Sequence, residues 1–380
     1  MAKKAYIGVD NIARKIKKCY IGIDGLARRV KRAYIGIGGV ARPCWNASGL
    51  DNYGTITPLY ESRSEMAAAT VGNYALFGGG VTSNTSRCSS VDAYDTSLTH
   101  VNSVSPLREN KKNIGATSIG IYALFGGGYL SEDHWYPTSC TVSNLFDAYN
   151  TSLTRSNASG HSRGRGGLAA TTIGDYALFA GGYGINSSNS NGYISRVDTY
   201  NVGLTRSTTS SISKARALLS ATTVGNYALF AGGETVDTDF DIVDAYDLSL
   251  TLSSAPVLSQ KMTITASTSV GNYALFASSS VINVYNTSLT KSTADKLSNN
   301  RNSFSATTVG QYALFAGGNN DSNIVDVYDS SLTHTIATPL TTGRSDMTSI
   351  SIGEYALFAG GYINSNSNCT NVVETYTVFS

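Results

Sequence analysis

The feature that most restricts what this chain can fold into is a seven-fold phrase, Tyr-Ala-Leu-Phe followed by a run of small residues. It first stands at Tyr74-Ala75-Leu76-Phe77-Gly78-Gly79-Gly80 and returns at Tyr122, Tyr176, Tyr227, Tyr273, Tyr312 and Tyr355. Unit lengths of roughly 40 to 50 residues mark a repeat architecture in which each unit is one supersecondary element. A second marker, Val91-Asp92-Ala93-Tyr94-Asp95-Thr96-Ser97-Leu98-Thr99, recurs with its tyrosine at Tyr149, Tyr200, Tyr246, Tyr285, Tyr328 and Tyr376. The distance from this tyrosine to the next Tyr-Ala-Leu-Phe is 28 residues once and 27 residues five times. Almost all the length variation therefore falls between the two markers, in one connection per unit.

Each unit reads as four short strands. Strand a is small and β-branched, as in Met66-Ala67-Ala68-Ala69-Thr70-Val71. A Gly-x pair follows (Gly72-Asn73), with glycine first as a type II′ hairpin turn requires. Strand b is Tyr-Ala-Leu-Phe-x-Gly, and the variable connection leads to strand c at Val91 to Tyr94. An Asp-Thr-Ser turn is expected to open strand d from Leu98 towards Pro106. Four antiparallel strands repeated seven times predict a β-propeller, with the small residues of strand a at its crowded centre. The chain stops four residues after Tyr376, so the last unit lacks strand d. The segment Gly54 to Thr57 is expected to supply it by pairing near Val372 to Tyr376, closing a seven-bladed ring without open edges.

These units resemble the kelch family, whose blades carry a double glycine after an aromatic-apolar strand b and a Tyr-Asp step in strand c. The double glycine is present in six units, among them Gly181-Gly182, Gly232-Gly233, Gly317-Gly318 and Gly360-Gly361; Ala277-Ser278-Ser279 replaces it in the fifth. The kelch tryptophan is absent, and Leu98, Leu153, Leu204, Leu250, Leu289 and Leu332 occupy that region. The resemblance covers residues 46–380 and implies a fold more than a function, because propellers host unrelated activities.

Residues 1–45 form a separate basic module of three fourteen-residue units, AYIGVDNIARKIKK, CYIGIDGLARRVKR and AYIGIGGVARPCW. Asp10-Asn11, Asp24-Gly25 and Gly38-Gly39 suit two-residue hairpin turns, so each unit is expected to be a strand–turn–strand with Val9 opposite Ile12 and Ile7 opposite Arg14. The module holds eleven Lys or Arg against two Asp, about +9. The remainder holds seventeen against twenty-four, about −7. Such asymmetry predicts different partners for the two parts. No aromatic platform or reading helix accompanies the basic residues, so docking or self-association is expected rather than nucleic-acid binding. This tandem resembles N-terminal repeats of phage and prophage tail-associated proteins. The resemblance implies a homo-oligomeric virion tail component, assembled in the host cytoplasm, that attaches through residues 1–45 and meets a host-surface glycan or protein through its propeller.

The site is expected on the face carrying the variable connections. Tyr129, Trp135, Tyr136, Tyr183 and Tyr193 offer aromatic area among Ser, Asn and Gly, the palette of binding loops. Nine residues before each a–b glycine stand Arg63, Lys111, Arg165, Arg216, Arg301 and Arg344, with Met262 in the fifth unit. They predict a ring of cations for an anionic polymer, or else a set of partners for neighbouring loop carbonyls and carboxylates. No cofactor or metal is implied. The five cysteines lack a Cys-x-x-Cys pair, no apolar run is long enough to span a membrane, and no secretory h-region follows the basic N-terminus. Four histidines (His100, His134, His161, His334) stand at unrelated positions in the repeat. Catalysis is not expected, although Glu132, Asp133, Glu234, Asp237, Asp239 and Asp241 keep a glycosidase open. A non-viral kelch scaffold for a protein partner is the other alternative.

Overall fold

A computed structural model describes residues 6–9, 12–15, 20–23, 26–29, 32–37, 40–46, 49–83, 85–101, 103–131, 140–161, 163–185, 190–261, 266–363 and 368–379. Among these residues the chain is all-β, and its strands form seven four-stranded antiparallel sheets in a propeller-like arrangement. In the first sheet the strands are Ala67–Val71, Tyr74–Gly78, Val91–Asp95 and His100–Val101, hydrogen-bonded in that order as a, b, c and d. Five further sheets repeat the order. The seventh contains Thr348–Ile352, Tyr355–Ala359 and Val373–Phe379, and its outer strand is Gly49–Ile56 from the far end of the sequence. The pairing sets Ile56 against Val373 and Gly54 against Thr375, with a bulge at Tyr53 before Gly49 meets Phe379.

Local chemistry explains each element. The a–b glycines, Gly72 to Gly353, all have φ between +51° and +58°, and the residue after each does not share the positive φ, as the II′ geometry demands. The c–d turn departs from expectation. Leu98 closes the turn in the left-handed region at φ +64°, and strand d begins only at His100. The side chain of Asp95 accepts the N–H groups of Ser97 and Thr99, while Leu98 N–H donates to the Asp95 carbonyl. This is a turn followed by an αL residue, a common three-residue hairpin form. Leu153, Leu204, Leu250, Leu289 and Leu332 repeat it at φ +58° to +62°.

Packing follows the repeat. Seven apolar clusters each join one sheet to the next, and the last joins the seventh to the first through Leu357, Ala359, Val373, Ala75, Phe77 and Tyr94. Within every sheet the strand-b phenylalanine meets the strand-c tyrosine edge-on, as Phe77 meets Tyr94 at 6.1 Å and Phe358 meets Tyr376 at 5.9 Å. The tyrosine hydroxyl then donates to a carbonyl beyond the outer strand of the preceding sheet: Tyr149 to Ser105, Tyr246 to Ser210, and Tyr94 to Thr57. Between neighbouring a strands, hydroxyls bridge at Thr117–Thr172, Thr171–Thr223, Thr268–Thr308 and Ser305–Ser349, which gives strand a its Ser/Thr content a structural purpose. A cavity of about 310 Å³ is lined by residues at the start of all seven a strands.

In the N-terminal part three two-stranded hairpins are described, Tyr6–Val9 with Ile12–Lys15, Tyr20–Ile23 with Leu26–Arg29, and Arg32–Ile37 with Val40–Asn46. Val9 pairs with Ile12 and Ile7 with Arg14, as the sequence predicts.

Candidate functional site

The b–c connections lie at one end of the sheets beside the segments that lead into strand a. Gly80 N–H donates to the Lys111 carbonyl and Lys111 N–H to the Cys88 carbonyl, so each connection rests on the entry segment of the next sheet. Gly182 and Arg216 repeat the first contact. The six cations expected to ring this face are present in equivalent places, but none is offered to solvent. Arg63, Lys111, Arg165, Arg216, Arg301 and Arg344 are at most 2% exposed.

The reason is the double glycine. Its positive φ (Gly79 +69°, Gly80 +107°) bends the chain at the end of strand b, where a group of carbonyls from the bend and its neighbours faces one buried point. The guanidinium group, with five donors in a planar fork, takes them up. Arg63 donates to the carbonyls of Gly79, Ser90 and Phe77 at 2.6, 2.7 and 3.2 Å and pairs with Asp92. Arg165 does the same with Gly181, Arg196 and Phe179, and pairs with Asp198 at 2.6 Å. Arg216 pairs with Asp244 at 2.9 Å and Arg301 with Asp326 at 2.6 Å, while Arg344 lies 3.7 Å from Glu374. Lys111, whose ammonium cannot span the carbonyls, stands 3.4 Å from Asp147, and Arg108 supplies the shorter contact at 2.8 Å. Burial draws the Arg165 and Arg344 guanidinium groups down to about 10, with Asp198 and Glu374 opposing it, so both stay charged at neutral pH.

The fifth unit confirms the accounting by its exception. Met262 occupies the cation's place in the sequence, and the carboxylate's place is taken by Asn283, fully buried and accepting the Ser259 N–H at 2.8 Å. Charge is lost from both positions together, as expected where an unpaired buried ion is costly. The cation ring is thus a set of buried struts, and an anionic polymer could reach it only by displacing these partners.

The aromatic candidates also move inward. Tyr129 is fully buried and Tyr183 is 4% exposed; with Cys140 and Ala217, and against Val142, Tyr193 and Leu218, they form a small core beneath the two longest connections. Tyr183 and Tyr193 meet edge-on at 5.0 Å. A Cβ on Gly166 would come within 2.8 Å of the Tyr129 ring, so that glycine makes the seat for it. Trp135 and Tyr136, with Glu132, Asp133 and His134, lie outside the described residues.

What the face does present is different. Tyr60, 85% exposed, borders a groove of about 320 Å³ with Ser90, Asp92, His100, Val104 and Pro106. His100 Nε2 lies 2.7 Å from Asp92 Oδ1, and its ring packs on Tyr94. His334, Asp326 and Tyr328 repeat this arrangement, so these two histidines hold one equivalent position rather than unrelated ones. The signal was available, since each stands six residues after a strand-c tyrosine. His161 differs. Fully buried against Phe146 and bonded to Asp198 at 2.9 Å, it is held neutral, because burial and the nearby Arg165 charge press its pKa to about 3. It fills a place held by Leu59, Leu107, Leu258, Leu297 or Leu340 in other units.

Near the start of the a strands, a further set of αL residues forms a belt. Glu65 N–H donates to Asp346, Asn113 to Glu65, Gly167 to Asn113 and Leu218 to Gly167, all backbone to backbone. Glu65 pairs with Lys112 at 2.9 Å and accepts from the Tyr362 hydroxyl. Burial and the Glu65 charge raise the Asp346 carboxyl to about 6. Among the described residues no group of three or more His, Cys, Asp or Glu is placed to hold a metal. No family model matches the chain, and a search of curated proteins finds no match.

Proposed function

We propose that the seven sheets are the blades of a closed, kelch-like β-propeller, and that the chain is a virion tail protein whose loop face binds a host-surface glycan or protein. The ring reading is supported by the apolar cluster shared between the seventh and first sheets and by the outer strand that Gly49–Ile56 contributes. The binding reading rests on one observation: the struts, tyrosine ties and turns recur in unit after unit, whereas the b–c connections differ in length and chemistry and all lie at one end. A fixed frame with one variable loop per unit concentrates specificity on that end.

The buried struts and the Tyr129–Tyr183 core are frame. Contact falls to the exposed loop surface, including the groove at Tyr60, where an aromatic ring, hydroxyls and an imidazole suit a sugar-sized ligand. The basic module of residues 1–45, with its resemblance to phage tail repeats, is the part we assign to the particle.

The test is adsorption of the full chain to bacterial cells, compared with a variant in which residues 132–139 of the second unit's connection, Trp135 and Tyr136 among them, are replaced by a Gly/Ser linker of equal length that leaves the Tyr129 core in place. We expect retention on cells by the parent and at least a five-fold loss in the variant at unchanged thermal stability. Retention by neither, with capture of a cytosolic protein instead, would favour a non-viral scaffold. Release of reducing sugar from cell-envelope polysaccharide would favour an enzyme.

A further inference from the structure

The end of the sheets opposite the variable loops carries a different chemistry. It is built from the a–b and c–d turns, which lock around the molecule: a Cβ on Gly72 would meet Thr151, on Gly120 Val202, on Gly174 Leu248, on Gly310 Val378 and on Gly353 Thr96. These turns carry five carboxylates, Asp95, Asp175, Asp247, Asp329 and Glu354, and neither lysine nor arginine. The basic residues that follow the c–d turns are engaged elsewhere: Arg155 with the Pro106 carbonyl, Arg206 with Asp198, and Lys291 with the Val257 carbonyl. In the second to fourth units the turn residues become apolar. Ile121, Val202 and Leu248 are 58%, 50% and 49% exposed, where other units place Asn73, Thr96, Thr151, Thr287 or Ser330.

The chain also enters the sheets at this end. Gly49 pairs with Phe379, two positions beyond the Tyr355–Thr377 pair that adjoins the a–b turn at Gly353, and the neighbouring Val378 lies against Gly310. The third hairpin finishes at Asn46, and an extended chain advances at most about 3.6 Å per residue. Asn46 is therefore within about 11 Å of Gly49, on the side of Glu354 and away from the variable loops. The hairpin repeats bring about +9 of charge, with a mainly apolar strand before each turn and a strand holding both apolar and basic residues after it.

We propose that this turn face is the docking surface for residues 1–45 of the same chain. Carboxylates around the entry point meet the basic residues, and the Ile121–Val202–Leu248 patch takes the apolar residues. Tethering by two residues, Ala47 and Ser48, supplies the high effective concentration that lets a modest interface hold. One hairpin alone is marginal, so the face gives the repeats a surface to fold against and leaves the opposite, variable face clear. Failure of this proposal would leave the adsorption test untouched.

Zero-length carbodiimide cross-linking of the full chain, read by peptide mass spectrometry on a mixture of natural and ¹⁵N-labelled protein, tests it. The expected products join Lys3, Lys4, Lys15, Lys17, Lys18 or Lys31 to Glu354, Asp95, Asp329, Asp175 or Asp247 within one isotopic species. Their yield should fall several-fold in 1 M salt, where the screening length is about 3 Å, and about five-fold in the I121N/V202T/L248T variant. That variant uses residues other units already carry, so thermal stability should be unchanged. Links confined to Glu61, Glu109, Asp237 or Asp241 would overturn the proposal. So would links only between isotopic species, which would assign the face to a second copy's module, and so would equal yields from parent and variant.

Discussion

Replacing Arg216 by methionine and Asp244 by asparagine, singly and together, converts the fourth unit's strut into the neutral pair that the fifth unit carries. Arg216 donates to the carbonyls of Gly232 (2.7 Å), Lys214 (3.0 Å) and Phe230 (3.3 Å) as well as to Asp244. In R216M the Asp244 carboxylate, 1% exposed, keeps only the Ser213 N–H at 3.1 Å, and its charge is left uncompensated. Breaking a buried pair from one side costs about 3–5 kcal/mol. D244N keeps the acceptor for Ser213 but strands the guanidinium among carbonyls, at a cost of about 3 kcal/mol. In the double variant no ion remains, and the residual loss is that of carbonyls without donors, about 1–3 kcal/mol. Urea unfolding of the four proteins should therefore give a double-variant loss at least 2 kcal/mol smaller than the sum of the singles, which is well outside the ~0.5 kcal/mol scatter of independent sites. Strict additivity would refute the strut reasoning. An R216M effect within about 0.5 kcal/mol, the usual range for surface changes, would restore the solvent-facing alternative for Arg216 over its role as a partner of loop carbonyls and carboxylates.

Further outcomes follow from the same geometry. His161 is neutral in the fold down to about pH 3 but takes a proton near 6.5 when unfolded. The unfolded chain thus binds more protons between those values, and stability must fall as pH drops. From pH 6.5 to 5 the loss is about 2 kcal/mol, and H161L should remove it; an unchanged acid slope in H161L would be contrary. Asp346, raised to about 6, has the opposite sign, because the folded state holds the extra proton as pH rises from 3.8 to 6. D346N should stabilise at pH 7 and not at pH 3.5, as read by paired melting curves. Leu98 pairs an αL conformation, worth roughly 1–2 kcal/mol of strain in a non-glycine residue, with a side chain 7% exposed, whereas Leu289 is only half-buried. Because glycine relieves the same strain at both positions, L98G should lose more stability than L289G, and the reverse order in denaturant midpoints would contradict the burial argument.

The strand pattern was legible because its causes are local. Gly72-Asn73 fixes a hairpin by backbone conformation, and the short apolar run Tyr-Ala-Leu-Phe between glycines fits a strand buried on both faces. The pairing of Gly49–Ile56 with the C-terminal strand followed from a unit lacking its fourth strand. The site was read less well, for a physical reason. Arginine at a fixed register looks the same whether it meets solvent or a bent strand's carbonyls, and the deciding information was elsewhere: Asn283 stands where six other units have Asp or Glu, matching Met262. The same blindness applied to Tyr129 and Tyr183, since a loop long enough to need its own core uses the same aromatic residues as a loop that binds. The αL role of Leu98 was missed because leucine gives no sign of it; only its sixfold return after Asp/Asn-x-Ser/Gly does.

The central claim is that this chain is a tail component that presents its variable loops outward. Electron microscopy of particles released by the source culture, with a gold-labelled antibody against the 317–324 connection, tests it most directly. Gold at the distal end of the tail is the expected result. Label confined to soluble protein, with tails bare, would contradict the assignment.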